Sequence, residues 1–227
     1  NVKTEKTLIR SQKKMSMVII DQKIYFNNSV GDISAVDINN GQLLWQRPTQ
    51  NSLIIDQAFS LKTSDIIADR KSLYLSNNKN EFFSIDINTG DLNWKQKINS
   101  NLRSTLIDNY IFSVSLEGYL IIIEKKSGNI VRSTNIFSFK KNKKNRRNLL
   151  TGKIIIGKDS INAKPVGFIV GSSYIYVTTS NGKLLTVDIK TGRTKSVLKI
   201  DNDKISRPLV LNKSMYIIKD NSIIKLN

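Results

Sequence analysis

The eleven residues Ala35-Val36-Asp37-Ile38-Asn39-Asn40-Gly41-Gln42-Leu43-Leu44-Trp45 return further along the chain as Ser84-Ile85-Asp86-Ile87-Asn88-Thr89-Gly90-Asp91-Leu92-Asn93-Trp94. Working outward from each copy, an aromatic residue stands sixteen positions before the glycine, and two more segments share that spacing. The four pairs are Tyr25 and Gly41, Tyr74 and Gly90, Phe112 and Gly128, and Tyr176 and Gly192. Four positions before each glycine lies an acidic residue (Asp37, Asp86, Glu124, Asp188). Ten before it lies a turn-permissive one (Gly31, Asn80, Gly118, Gly182). Spacing that holds inside a unit while the distance between units varies marks an internal repeat, and the fold has to be argued from the repeat.

Each unit reads as strands. Lys23 to Asn27 and Ile33 to Ile38 alternate, are rich in aromatic and β-branched residues and flank a turn, which is the pattern of a hairpin. A third strand follows Gly41 as Gln-Leu-Leu-Trp. In the intervening Asp-Ile-Asn-Asn-Gly the carboxylate can accept backbone N–H groups, and glycine supplies the positive φ. One more short apolar strand precedes each hairpin, at Ser16 to Ile20, Asp65 to Ala68, Ser104 to Ile107 and Val166 to Val170, giving four antiparallel strands per unit. A unit of this kind has two apolar faces and cannot hide both alone. Radial stacking of such sheets is a β-propeller.

The expected architecture is therefore all-β: a single propeller portion over residues 1–227, with blades at about 12–50, 51–100, 101–137 and 161–200. A fifth, over 205–227, lacks its last strand, and a basic insertion loop occupies 138–160. Thr4 to Arg10 would supply the missing strand in a five-bladed ring. The preferred reading is a C-terminal part of a seven- or eight-bladed ring.

Composition removes several chemistries. With no cysteine there is no disulfide, thiolate metal site or cysteine nucleophile, and with no histidine the commonest general base and metal ligand are both missing. No apolar run approaches the roughly 20 residues that span a bilayer as a helix. Asp37, Asp86 and Asp188 are spoken for by turns, and Asp201-Asn202-Asp203 reads as an inter-blade turn without the glycine and distal glutamate of a calcium loop. Catalytic, cofactor and metal residues are accordingly none.

The two opening stretches resemble the tryptophan-docking repeat of the PQQ-type propellers: alanine, any residue, aspartate, two variable residues, threonine-glycine, and tryptophan four further on. The third and fourth units carry Arg132 and Ser196 in place of the tryptophan. Within that family the chain looks most like the outer-membrane assembly-factor (BamB) branch. This resemblance implies a non-catalytic scaffold that binds a subunit of the β-barrel assembly machinery. It also implies a monomer in the periplasm, anchored to the outer membrane by an N-terminal lipoprotein signal outside the present sequence. The alternatives are a PQQ-dependent quinoprotein dehydrogenase, which would need cofactor and calcium in the central channel, and a ligand-sensing propeller of a signalling protein.

Charge supplies the remaining candidates. Thirty-six basic and 18 acidic side chains leave +18, and Lys140, Lys141, Lys143, Lys144, Arg146 and Arg147 fall within one short run. Such a field attracts polyanions, among them anionic lipid headgroups or an acidic protein. Nucleic acid is not expected, because no aromatic residues interleave with the run. Arg103 and Arg207 share one register, nine residues before the aromatic of their units, where Ser16, Asp65 and Gly167 stand elsewhere. That register begins the innermost strand, near the mouth of the central channel. Trp45 and Trp94 are read as core wedged between blades, with the indole N–H on a carbonyl.

Overall fold

The computed structural model describes residues 15–28, 31–49, 61–138, 146–147, 154–155 and 163–226. Thr4 to Arg10, Lys140, Lys141, Lys143 and Lys144 lie outside the described residues.

Among the described residues every regular element is a strand. The first sheet contains β1 (Met17–Ile20), β2 (Lys23–Asn27), β3 (Ile33–Asp37) and β4 (Leu43–Arg47). The second contains β5 (Ile67–Ala68), β6 (Ser72–Asn77), β7 (Glu81–Asp86) and β8 (Leu92–Gln96), and the third β9 (Thr105–Ile107), β10 (Tyr110–Val114), β11 (Tyr119–Glu124) and β12 (Ile130–Asn135). After a two-stranded pair, β13 (Arg146–Arg147) and β14 (Ile154–Ile155), comes the fourth sheet: β15 (Pro165–Val170), β16 (Tyr174–Thr179), β17 (Lys183–Asp188) and β18 (Thr194–Lys199). The last sheet has three strands, β19 (Leu209–Leu211), β20 (Ser214–Lys219) and β21 (Ser222–Leu226). All five are antiparallel meanders with strands in chain order, the blades of a β-propeller. The basic insertion is thus not wholly loop, since Arg146 pairs with Ile155 and Arg147 with Ile154.

The turn chemistry accounts for the repeat. In the first three-to-four turn Asp37 accepts Asn39 N–H through its carboxylate at 2.8 Å, and its carbonyl accepts Gly41 N–H at 2.9 Å. Asp86 and Asp188 do the same with Asn88 and Thr191, each at 2.8 Å. Every glycine of the set has φ between 70° and 75°. At the hairpin between the second and third strands, Asn80 adopts φ 61° where the other units have glycine, a conformation asparagine tolerates better than most residues. A register shift falls at the same place in all four complete blades, at Ala35/Val36, Ser84/Ile85, Ile122/Ile123 and Thr186/Val187. The extra residue re-aims the outer strand towards the next blade.

Stacking buries the middle strands. All of β6 is buried, whereas β4 and β18 are largely exposed. Four apolar clusters lie at the four blade interfaces. Tyr25, Ile33 and Ala35 meet Leu73, Phe83 and Ile85; Tyr74 and Phe82 meet Ile111 and Ile121; Phe112 and Leu120 meet Val177 and Leu185; Leu184 meets Ile205 and Ile217. Polar bonds fix the stacking. Trp45 Nε1–H donates to Ile87 O (3.2 Å), Trp94 Nε1–H to Lys125 O (2.8 Å), and Arg132 donates through a guanidinium N–H to Ile189 O (2.7 Å). The acceptor is in each case three residues before the turn glycine of the following blade. The tryptophans are half-buried, at the rim of the apolar core, and each ring packs near the aromatic of its own unit, Trp45 on Tyr25 at 5.9 Å and Trp94 on Tyr74 at 6.1 Å.

The glycines sit beneath these side chains. A Cβ at Gly90 would lie 2.7 Å from the Trp45 ring, at Gly128 2.6 Å from Trp94, and at Gly192 2.7 Å from Thr134 Oγ1, whereas at Gly41 it would meet no described residue within 4 Å. Across the second interface Lys125 Nζ reaches Asp69 Oδ2 at 3.1 Å. Burial alone would raise the Asp69 carboxyl. The N–H groups of Lys71 and Ser72 and the Lys125 ammonium outweigh it and hold the pKa below the ordinary carboxylate range. Burial, followed by the Asp69 charge, pushes the neighbouring Tyr74 phenol up to about 12.

Three outcomes follow for stability. Trp94→Ala should cost about 3–5 kcal/mol, read as a lower urea midpoint, because burial, stacking and the interface bond are lost together. Gly41→Ala should cost only the positive-φ strain, about 1–2 kcal/mol, and Gly128→Ala should cost about 1–3 kcal/mol more, because its methyl would strike Trp94. Folding lowers the Asp69 pKa, so its contribution is present above the unfolded-state value of about 3.9 and is lost as pH falls through the folded value. Unfolding free energy measured between about pH 6 and 2 should therefore decline less steeply in Asp69→Asn than in wild type.

Candidate functional site

With the blades stacked, their first strands are brought together: β1 adjoins β5 and β5 adjoins β9. The residue nine before each unit's aromatic then lies on one cavity system. A cavity of about 680 Å³ is lined by Ser16, Asp65, Arg103 and Arg207, with Met15, Met17 and Ser104 beside them. A smaller one of about 170 Å³ is lined by Asp65, Arg103, Gly167 and Arg207. All five register positions converge, and three of them carry charge.

The backbone bonding that holds these positions differs from blade to blade. Ser64 and Ser206 use an identical device. Ser64 Oγ accepts Ser76 N–H at 2.9 Å while Ser64 N–H donates to Ser76 O at 2.8 Å. Ser206 Oγ accepts Ile218 N–H at 2.8 Å while Ser206 N–H donates to Ile218 O at 2.9 Å. Each hydroxyl also donates to the carbonyl of the residue that follows, Asp65 O at 3.0 Å and Arg207 O at 2.9 Å. The first strand is thereby pinned one residue before its charged side chain. Ser16 instead joins two blades, its Oγ accepting Ile66 N–H at 2.8 Å.

Gly167 makes room for Arg207. A Cβ there would come within 2.9 Å of Arg207 Cα and closer still to its Cβ, so no side chain larger than hydrogen fits without displacing the arginine. Arg207 lies 4.0 Å from Asp65 with both side chains about half exposed (47% and 49%). A pair so solvated contributes little, on the order of 0–1 kcal/mol. Arg103 is exposed and makes no hydrogen bond or ion pair with the other described residues. Among the described residues, the cavity lining thus carries two arginines and one carboxylate.

Other residues singled out from the sequence lie elsewhere. Arg146 and Arg147 are in the β13–β14 pair, remote in sequence from the channel strands. Asp201 is engaged by Lys219 Nζ at 3.0 Å. Among the described residues no three carboxylates gather as a metal site. Sequence reasoning passed over Ser64 and Ser206 and gave Gly167 no role beyond its place in the register. The signal was present in the first two, since both are serines ten residues before the aromatic and immediately before a charged residue. The register marks position 167, but no sequence pattern explains why it is glycine, because its neighbour belongs to another blade.

Comparison with known proteins bears on the fold. No curated protein is matched by the chain. Among solved structures it is similar to BamB from Moraxella catarrhalis, with a TM-score of 0.56 and 18% identity over 92% of this chain and 70% of that one. It is also similar to the computationally designed Ika8 protein, with a TM-score of 0.65 and 12% identity over 92% of this chain and 56% of that one. The Cps50 (Swd1) β-propeller domain of Myceliophteria thermophila gives a TM-score of 0.65 and 9% identity over 92% and 62%. At such identities the likeness concerns the propeller fold, and the chain spans between about half and 70% of these proteins. The model of the family described as outer membrane protein assembly factor BamB matches residues 2–134, more than half of the sequence, and the chain belongs to that family.

Proposed function

We infer that the chain is a non-catalytic β-propeller scaffold whose partner is a subunit of the machinery that assembles β-barrel proteins in the outer membrane. It works on the periplasmic side, tethered to that membrane. The observation that carries this reading is family membership over residues 2–134, joined to a blade stack whose acidic repeat residues are engaged in turns. A scaffold needs rigid blades and accessible loops, and propellers present connecting loops at both ends of the stack. The basic segment over 138–160 adds a candidate contact to anionic lipid.

The donor set argues against a quinone–calcium centre in the channel. Calcium takes about 6–8 oxygen ligands, usually with several carboxylates. Among the described residues the cavity offers one carboxylate, Asp65, and that group lies by Arg207.

Two assays test the reading. The chain immobilised on a column should retain a purified barrel-assembly subunit from detergent solution. Supplied with PQQ, calcium, an alcohol or sugar and an acceptor dye, it should reduce no dye above the protein-free rate. Dye reduction would make it a dehydrogenase, and failure to retain any such subunit would remove the assembly role.

A further inference from the structure

We propose that Arg103 and Arg207 form a carboxylate clamp in the channel that takes an acidic side chain of a polypeptide partner. This deepens the scaffold reading and rests on it. The clamp comes from two non-adjacent blades: Arg103 precedes β9 in the third and Arg207 precedes β19 in the fifth, yet both line the same two cavities.

Four observations carry it. First, the charge is unbalanced: among the described lining residues two arginines stand against one carboxylate, Asp65, which pairs with Arg207, while Arg103 has no partner among the described residues. Guanidinium is the side chain best shaped to grip a carboxylate, through paired N–H donors. Second, the one internal contact is easily exchanged. The Asp65–Arg207 pair is 4.0 Å apart and half exposed, so an arriving carboxylate displaces a weak interaction. Third, the arginine is positioned from below. Gly167 leaves the space that Arg207 fills, and the Ser206 bonds fix the backbone before it. Fourth, the surroundings suit a polypeptide better than a bare inorganic anion. The cavity of about 680 Å³ has room for several side chains, and Met15 and Met17 beside it are 59% and 61% exposed. Exposed methionines are adaptable apolar contacts. A segment with an acidic residue flanked by apolar ones matches both features.

Asp65 has a role in this arrangement. It keeps Arg207 from being an unshielded cation in the empty channel and competes with the incoming group. Gly167 is a positioning residue, acting only through Arg207.

The test uses the whole chain, with fluorescence anisotropy of a labelled synthetic peptide of glutamate, leucine and glycine and of its twin with glutamine for glutamate, at about 150 mM salt, where the Debye length is about 8 Å. Wild type should bind the glutamate peptide at least about tenfold more tightly than the twin, as charge-assisted bidentate bonding requires. R103Q/R207Q should bring the ratio to about two or less, while R103K/R207K, with charge retained but the fork lost, should fall between. Gly167→Val should lower the ratio with net charge unchanged, and Asp65→Asn should raise it. Thermal melts should show each variant folded.

K195Q/K199Q removes two exposed lysines from β18, the outer strand of the fourth blade, and should leave the ratio as in wild type. If that pair costs as much as R103Q/R207Q, attraction is to the +18 chain as a whole and the clamp is wrong. Equal binding of both peptides by wild type also overturns it. So does displacement of the glutamate peptide by phosphatidylglycerol vesicles through Arg103 and Arg207, which would reassign the site to lipid. Retention of the assembly subunit by R103Q/R207Q in any of these cases would leave the scaffold standing without the clamp. Loss of retention in wild type strikes the scaffold itself.

Discussion

Three of the four blade interfaces rest on one recurring contact. A donor on the outer strand of one blade reaches the carbonyl three residues before the turn glycine of the next. Apolar burial supplies most of the energy of stacking, but it is non-directional and would tolerate sliding. A directed N–H···O bond at the rim of the interface sets the angle and register at which the apolar faces meet. Tryptophan combines both tasks, bringing a large ring with a donor at its edge. Arg132 at the third interface shows which task is the stricter: the ring is gone, yet the bond to Ile189 O remains at 2.7 Å.

Once stacking is fixed in this way, the inner strands have no choice about where they go. The residue nine before each aromatic is delivered to the channel whatever its chemistry. The repeat itself makes no demand on these side chains, which line the cavity. Five equivalent positions are therefore free to differ, and they do: serine, aspartate, arginine, glycine and arginine. A regular framework presents irregular chemistry at one place. The exceptions are Gly167, whose lack of a side chain answers to Arg207, and Ser16, whose hydroxyl accepts Ile66 N–H of the next blade.

How much of this could be read in the chain follows from the range of each interaction. The turns were legible because Asp37, Asp86 and Asp188 bond to N–H groups two or three residues away, so their geometry is written as spacing. The four-stranded units were legible for the same reason. The indole bonds of Trp45 and Trp94 could be expected from the family pattern, but a template that looks for tryptophan misses a guanidinium doing the same job at Arg132. The reason for glycine at position 167 was opaque, since its neighbour Arg207 is forty residues on in another blade. The short β13–β14 pair was hidden in a run of basic residues with no alternating pattern. Arg103 and Arg207 stood out by shared register, while the weakness of the Asp65 pair that leaves them available required distances and exposures.

Gly41 separates what the turn does for itself from what docking does to it. Its counterparts Gly90, Gly128 and Gly192 are covered by Trp45, Trp94 and Thr134, whereas no described residue lies within 4 Å of a Cβ at Gly41. Yet its φ is 70° against 75°, 74° and 70° for the others, and its N–H meets Asp37 O at 2.9 Å, the same bond its counterparts make. The turn thus keeps its geometry with no described residue against it. Local hydrogen bonds build it, and a docking side chain meets a surface that the turn forms by itself. That independence explains why the repeat tolerates different docking side chains. The receiving surface is made by residues four apart in sequence, and the docking residue has only to fit it.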